Sequence, residues 1–161
     1  MDLHMLFWYD VVRYENKLRR DYYMNILFFL TPKEKVATID DKDTLRQALE
    51  KMEHHGYSAI PLLNQNGQYI GTINEGDLLW HFKDCGFPSL KELEDLSILD
   101  IDRRRDNEAV NISVSMDELV SKISNQNFVP VVDDNDVFIG IITRKDVILY
   151  LSNREIIESV N

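Results

Sequence analysis

The chain has 161 residues, with 28 acidic against 18 basic side chains and a formal net charge of -10. That length fits one compact domain or two small halves sharing a core, and 44% hydrophobic with 29% charged residues excludes wholesale disorder. The acidic balance argues against nucleic acid or anionic lipid as partner, and Cys85, the one cysteine, excludes an internal disulfide and a Cys-based zinc site and suits a cytoplasmic setting.

Residues 1–23 precede everything that repeats. The apolar runs Met5–Tyr9 and Ile26–Leu30 fall far short of the roughly 20 residues needed to cross a bilayer. Asp10 and Arg13 interrupt the first, so it does not read as a secretory signal. Two readings of this extension stay open. Arg19-Arg20 is encodable as a ribosome-binding sequence shortly before Met24, which would make Met24 the true start. Alternatively, Leu3, Leu6, Phe7 and Val11 form an amphipathic helix that packs on the rest of the chain or on a partner.

The first repeat spans 24–83. Val36–Ile39 reads as a strand, followed by a helix with apolar Leu45, Ala48, Leu49 and Met52 at helical spacing. Thr44-x-x-Gln47 opens that helix as a capping box. Strands Ala59–Leu63 and Gln68–Ile73 flank the turn cluster Asn64-Gln65-Asn66-Gly67, and a second helix runs over Glu75–Lys83. Residues 84–106 form a connector, in which Leu90, Leu93, Leu96 and Leu99 mark a short amphipathic stretch and Arg103-Arg104-Arg105 ends it. The second repeat, 107–152, has the same order: strand Val110–Ile112, a helix capped by Ser115-x-x-Glu118, strands Phe128–Val132 and Val137–Ile142, and a helix over Arg144–Ser152. A tail, 153–161, follows. Pro61 matches Pro130, Gly71 matches Gly140 and Asp77 matches Asp146, all at one offset. The fold class is α/β (α+β). Two β-α-β-β-α units too small to bury their own apolar faces should pack by a pseudo-twofold around a cleft.

The octapeptides Ile70-Gly71-Thr72-Ile73-Asn74-Glu75-Gly76-Asp77 and Ile139-Gly140-Ile141-Ile142-Thr143-Arg144-Lys145-Asp146 resemble the strand-to-helix signature of cystathionine-β-synthase (CBS) domains, Gly-apolar-apolar-[Ser/Thr]-x-x-Asp. Pro61 and Pro130 fit the same pattern. The match covers about residues 24–152, and the layout is similar to small stand-alone bacterial CBS-pair proteins, the Bateman module. The resemblance implies a cleft for an adenine nucleotide or adenosyl ligand: AMP, ADP, ATP, S-adenosylmethionine or cyclic di-AMP. It implies that Asp77 and Asp146 hold a ribose, and that the residue at Asn74 and Thr143 lies near ribose and phosphate. It also implies a homodimer that regulates a separate effector protein, with no cofactor and no catalysis.

The residues support a site on their own chemistry. An Asp in the first turn of a helix can accept both donors of a ribose diol, and free N–H groups there favour a phosphate. Gly71 and Gly140 allow close backbone approach by a ligand or a neighbouring strand. Equally, Thr143-x-x-Asp146 and Asn74-x-x-Asp77 stabilise a helix start with no ligand at all. The two sites differ. Thr143 has Arg144 and Lys145 beside it, cations suited to phosphate. Asn74 departs from the signature, and Glu75 beside it would repel phosphate. The Asp146 site is therefore favoured over the Asp77 site. Arg105, with Arg103 and Arg104, is either a phosphate contact or a solvated face. Tyr57 and Phe128 either border an adenine or belong to the core. His54 and His55 lack partners at metal-ligand spacing and suit a helix C-terminus.

A non-catalytic nucleotide sensor is the leading reading. The alternative is a dimerisation scaffold with a vestigial site. An enzyme is the weakest, since no Gly-rich phosphate loop, HExxH or nucleophile elbow occurs.

Overall fold

Two parallel strand pairs, each bridged by a helix, set the architecture of residues 25–159, which the computed structural model describes. The two readings of residues 1–23 lie outside the described residues. The strands are β1 (Thr31–Pro32), β2 (Ile39–Asp40), β3 (Ala59–Leu63), β4 (Tyr69–Asn74), β5 (Val110–Asn111), β6 (Phe128–Val132) and β7 (Phe138–Thr143). The helices are α1 (Leu45–His55), α2 (Glu75–Asp84), α3 (Met116–Asn125) and α4 (Arg144–Ser159).

β2 runs parallel to β3 and β5 parallel to β6, so each pair needs a crossover, which α1 and α3 supply. Antiparallel hairpins β3–β4 and β6–β7 complete each unit, in matching register: Pro61 faces Thr72 and Pro130 faces Ile141. One sheet has the order β2-β3-β4, the other β1-β7-β6-β5. The fold class expected from the repeat is the one found. One strand was not foreseen: β1 precedes the first repeat's own strands, yet pairs with β7 of the second, Thr31 opposite Ile141 and Pro32 opposite Gly140. The first half thus lends an edge strand to the second half's sheet.

Local chemistry sets the element ends. The Thr44 box opens α1, and Gly56, at φ 65°, closes it in a left-handed turn. Ser115 caps α3 by accepting from Glu118 N–H. The expected strand over Val36–Ile39 begins later, because Lys33–Lys35 forms a 3-10 turn that ends on Val36. The connector is not one amphipathic helix. Ser89 and Ser97 each start a fresh turn, with Glu92 and Asp100 as their acidic partners, and the helical ladder cannot run through both. Leu93 and Ile98 are buried while Leu90 and Leu99 are exposed. Leu96 packs on the first core, its carbonyl accepting the Leu45 N–H at the start of α1.

Each half has its own apolar core: Ile39, Leu45, Ile60, Leu62 and Ile73 in the first, Leu119, Val129, Val131, Ile142 and Val147 in the second. The halves also join at their hairpin tips. Phe138 N–H donates to the Gly67 carbonyl (2.9 Å) and Tyr69 N–H to the Asp136 carbonyl (3.3 Å). Gly67 and Asp136 occupy equivalent left-handed positions, φ 73° and 60°.

Candidate functional site

Both signature carboxylates sit in the first turn of the helix that follows a hairpin. Asn74 and Asp77 form a full capping box: Asn74 Oδ1 accepts from Asp77 N–H (2.9 Å) and Asp77 Oδ2 from Asn74 N–H (3.2 Å). Asp77 Oδ1 also accepts the backbone N–H of Arg104 at 3.1 Å. At 2% exposure, Asp77 is committed to its own chain. Asp146 is half-buried, and Thr143 Oγ1 both donates to its Oδ2 (2.5 Å) and accepts from its N–H (3.2 Å). Its hydrogen bonds to the described residues are local.

A strap, Arg103–Asn107, at the junction of the connector and the second repeat, lies along the outer edge of β4, the counterpart of β1 on β7. Side chains do there what backbone does in the other half. Asp106 Oδ1 accepts the Thr72 N–H (2.8 Å) and the Arg103 Nε–H (3.0 Å), and Arg103 Nη2 donates to the Ile70 carbonyl (3.2 Å). Tyr69 OH donates to the Asn107 carbonyl (2.6 Å) and lies 2.7 Å from Thr72 Oγ1. Burial pushes the Tyr69 phenol well above its ordinary value. The straps explain the two glycines. A Cβ on Gly71 would lie 2.6 Å from Asp106 Oδ1 and 2.7 Å from Arg103 Nε, and one on Gly140 only 2.2 Å from the Thr31 carbonyl. In both cases the close neighbour is the strap.

Between the halves lies a cleft of about 190 Å³. The first half supplies Ser58, Ala59, Thr72 and Asn74, the strap Arg105 and Asn107, and the second half the loop Asn125–Asn127. Carboxamides and hydroxyls dominate this lining, Arg105 is its one charge, and no carboxylate is among these residues. Several amides are already engaged: Asn107 Nδ2 donates to the Phe128 carbonyl (2.9 Å) and Gln126 Nε2 to the Glu108 carbonyl (3.1 Å). The arrangement can surround a neutral heterocycle with amides and oppose one anionic group with a guanidinium.

Of the residues singled out from sequence, Asn74 and Arg105 meet in this cleft, and Tyr57 adjoins it through Ser58. Asp77, Gly71, Pro61, Phe128, Asp146, Thr143, Lys145, Gly140 and Pro130 do not line it. Arg144 faces elsewhere: its Nε donates to the carbonyls of Ile123 (2.9 Å) and Gln126 (3.1 Å). Those are orphan acceptors at the end of α3, which has no glycine where α1 has Gly56. Arg144 is therefore a helix C-cap, not a cation turned toward Asp146. Phe128 is core, 7% exposed, and Pro61 and Pro130 are buried within their strands. Tyr57 is 38% exposed and stacks on His55 at 5.3 Å between centroids. No cluster of three metal-ligating side chains occurs among the described residues. Sequence reasoning missed Ser58, Ala59, Thr72, Asn107 and Asn125–Asn127 as lining residues. Position was a legible signal for two of them, since Ser58 and Asn127 both immediately precede a matched strand.

The CBS domain family model matches residues 29–84 and 98–153. The chain is 28% identical over 138 residues to cyclic di-AMP receptor B of Bacillus subtilis (strain 168), covering 83% of this chain and 88% of that protein. It is similar to the crystal structure of the CbpB protein of Listeria monocytogenes in complex with c-di-AMP: 28% identity, TM-score 0.71, 81% of this chain and 96% of that one. It is also similar to a CBS domain protein from Streptococcus pneumoniae TIGR4: 26% identity, TM-score 0.70, 78% and 85% covered.

Proposed function

The chain belongs to the CBS domain family, of which it carries a tandem pair, and from that premise we propose that it is a non-catalytic regulatory module of the bacterial cytoplasm that binds an adenosyl ligand in the cleft between its repeats. The observation that carries the reading is the lining of that cleft, one guanidinium at Arg105 among neutral amides and hydroxyls. Arg105 takes a phosphate oxygen, and the free edges of Asn127 and Ser58 face the base. A single cation suits a ligand with one phosphate per adenosine, which favours AMP or c-di-AMP over ADP, ATP and S-adenosylmethionine. A relative named cyclic di-AMP receptor B and a CbpB structure in complex with c-di-AMP, each 28% identical, point to the same ligand class. Asp77, covered by the strap at the border of the cleft, and Asp146, with Thr143 and Lys145 in a second site outside it, are the ribose carboxylates. The module acts as a homodimer on a separate effector protein. Leu79 on α2 and Ile148 and Leu149 on α4, each about half exposed, support self-association.

Isothermal calorimetry with c-di-AMP and AMP tests the reading, with Arg105→Gln alongside. A charge-assisted hydrogen bond contributes about 1.5–3 kcal/mol, so the variant should bind about 10- to 100-fold more weakly. Unchanged affinity in Arg105→Gln would remove the phosphate role, and no heat from either ligand would remove the site.

A scaffold reading has one specific observation in its favour: Asp77 is buried and satisfied by its own chain. Under that reading c-di-AMP and AMP give no heat, and the dimer and its partner contacts are indifferent to both.

A further inference from the structure

The connector strap reaches from the cleft to the outer face of α2, and we propose that it is a clasp on Asp77 that ligand binding opens, with Trp80 as its outward indicator. Arg105 and Asn107 line the cleft. Arg104, one residue earlier, points the other way: its backbone N–H seats on Asp77 Oδ1 at 3.1 Å, and its guanidinium lies 5.3 Å over the Trp80 ring, which is 40% exposed. The other Asp77 oxygen is occupied by Asn74 N–H. Asp77 is 2% exposed and covered by the strap, so a ribose diol that donates to it competes with the Arg104 N–H for Oδ1. This step rests on the ribose role proposed above for Asp77.

The displaced peptide cannot move as a free end. Arg103 is tied to the Ile70 carbonyl and to Asp106, and Asp106 holds Thr72 N–H. In the proposed opening, release of Asp77 turns the Arg104 peptide beside the tethered Arg103 and carries the Arg104 side chain off the indole. The closed clasp and a ribose-bound Asp77 are alternative states, and a ligand shifts their balance by its differential affinity for the two. Arg104 is a positioning residue, and its guanidinium contributes to the closed state only.

Two consequences are measurable. Losing its guanidinium cover exposes Trp80 to water, so its emission shifts to longer wavelength on binding. By linkage, removing the Arg104–Trp80 contact must favour the ligand-bound state. An exposed cation–π contact of ordinary strength corresponds to a gain of about two- to fivefold in affinity.

The experiment uses the full chain carrying Trp8→Phe, which leaves Trp80 as the sole tryptophan, titrated with c-di-AMP and with AMP by calorimetry and fluorescence in parallel. The clasp predicts a red shift that saturates with the calorimetric isotherm. Arg104→Met should bind more tightly and lose the shift. Lys83→Met, which removes the other cation over Trp80, 5.7 Å away, should keep it. Heat without any change in Trp80 emission, or unaltered affinity in Arg104→Met, would overturn the clasp and leave the ligand site standing. No heat from either nucleotide would sink the ligand reading and the clasp with it.

Discussion

Gly71 and Gly140 occupy equivalent positions, φ 154° and 156°, and both have a strap against their missing Cβ. The neighbours differ in kind. At Gly140 the obstacle is the Thr31 backbone carbonyl, fixed by strand pairing, whereas at Gly71 it is the ends of the Asp106 and Arg103 side chains, which can swing away. Gly71→Ala should cost about 1–3 kcal/mol from backbone strain alone, and Gly140→Ala more, with β1 released from β7. Urea unfolding of the two variants checks the ranking, and equal cost would contradict it. Tyr69 gives a prediction in pH. Burial raises its phenol above the free value, so the folded state holds a proton that the unfolded chain gives up. This contribution is complete below about pH 10, the ordinary tyrosine value, and is lost as pH climbs from there through the raised folded value. Tyr69→Phe should flatten that alkaline decline in stability.

The elements themselves were largely legible before the fold was known. Helical spacing from Leu45 and from Met116, the Thr44 and Ser115 caps and the turn cluster at Asn64–Gly67 each depend on neighbours a few residues away, and these elements form where expected. What failed to show was long-range. The strand β1 has no periodicity in two residues and exists only because β7 presents an open edge. Arg144 read as a phosphate cation because its neighbours in sequence are Thr143 and Asp146, yet its guanidinium closes a helix ending some twenty residues earlier. That role has its own test. Arg144→Met should lower stability by about 1.5–3 kcal/mol, since two buried carbonyls lose a charged donor. It should speed amide exchange near the end of α3. A large loss of affinity at unchanged stability would restore the phosphate role.

For the whole molecule, the repeat implied a pseudo-twofold and a cleft, and the family signature implied an adenosyl ligand. Which residues line the cleft was only partly readable. Asn74 and Arg105 were candidates from sequence. Ser58 and Asn125–Asn127 reach the cleft because two loops from different halves converge there, and no local pattern marks such convergence. The halves also differ more than their sequences suggest: the first signature carboxylate is shut by its strap, and the second is half-open. The central claim is that this pair of repeats holds an adenosyl ligand, and thermal unfolding of the intact chain with c-di-AMP tests it most directly. Ligand at 100 times its dissociation constant should stabilise by about 2.7 kcal/mol, which for a chain of this size raises the midpoint by roughly 5–10 °C. That shift is expected in the natural chain, with a much smaller one in Arg105→Gln at the same ligand concentration. An unmoved midpoint with c-di-AMP and with AMP would contradict it and leave the scaffold.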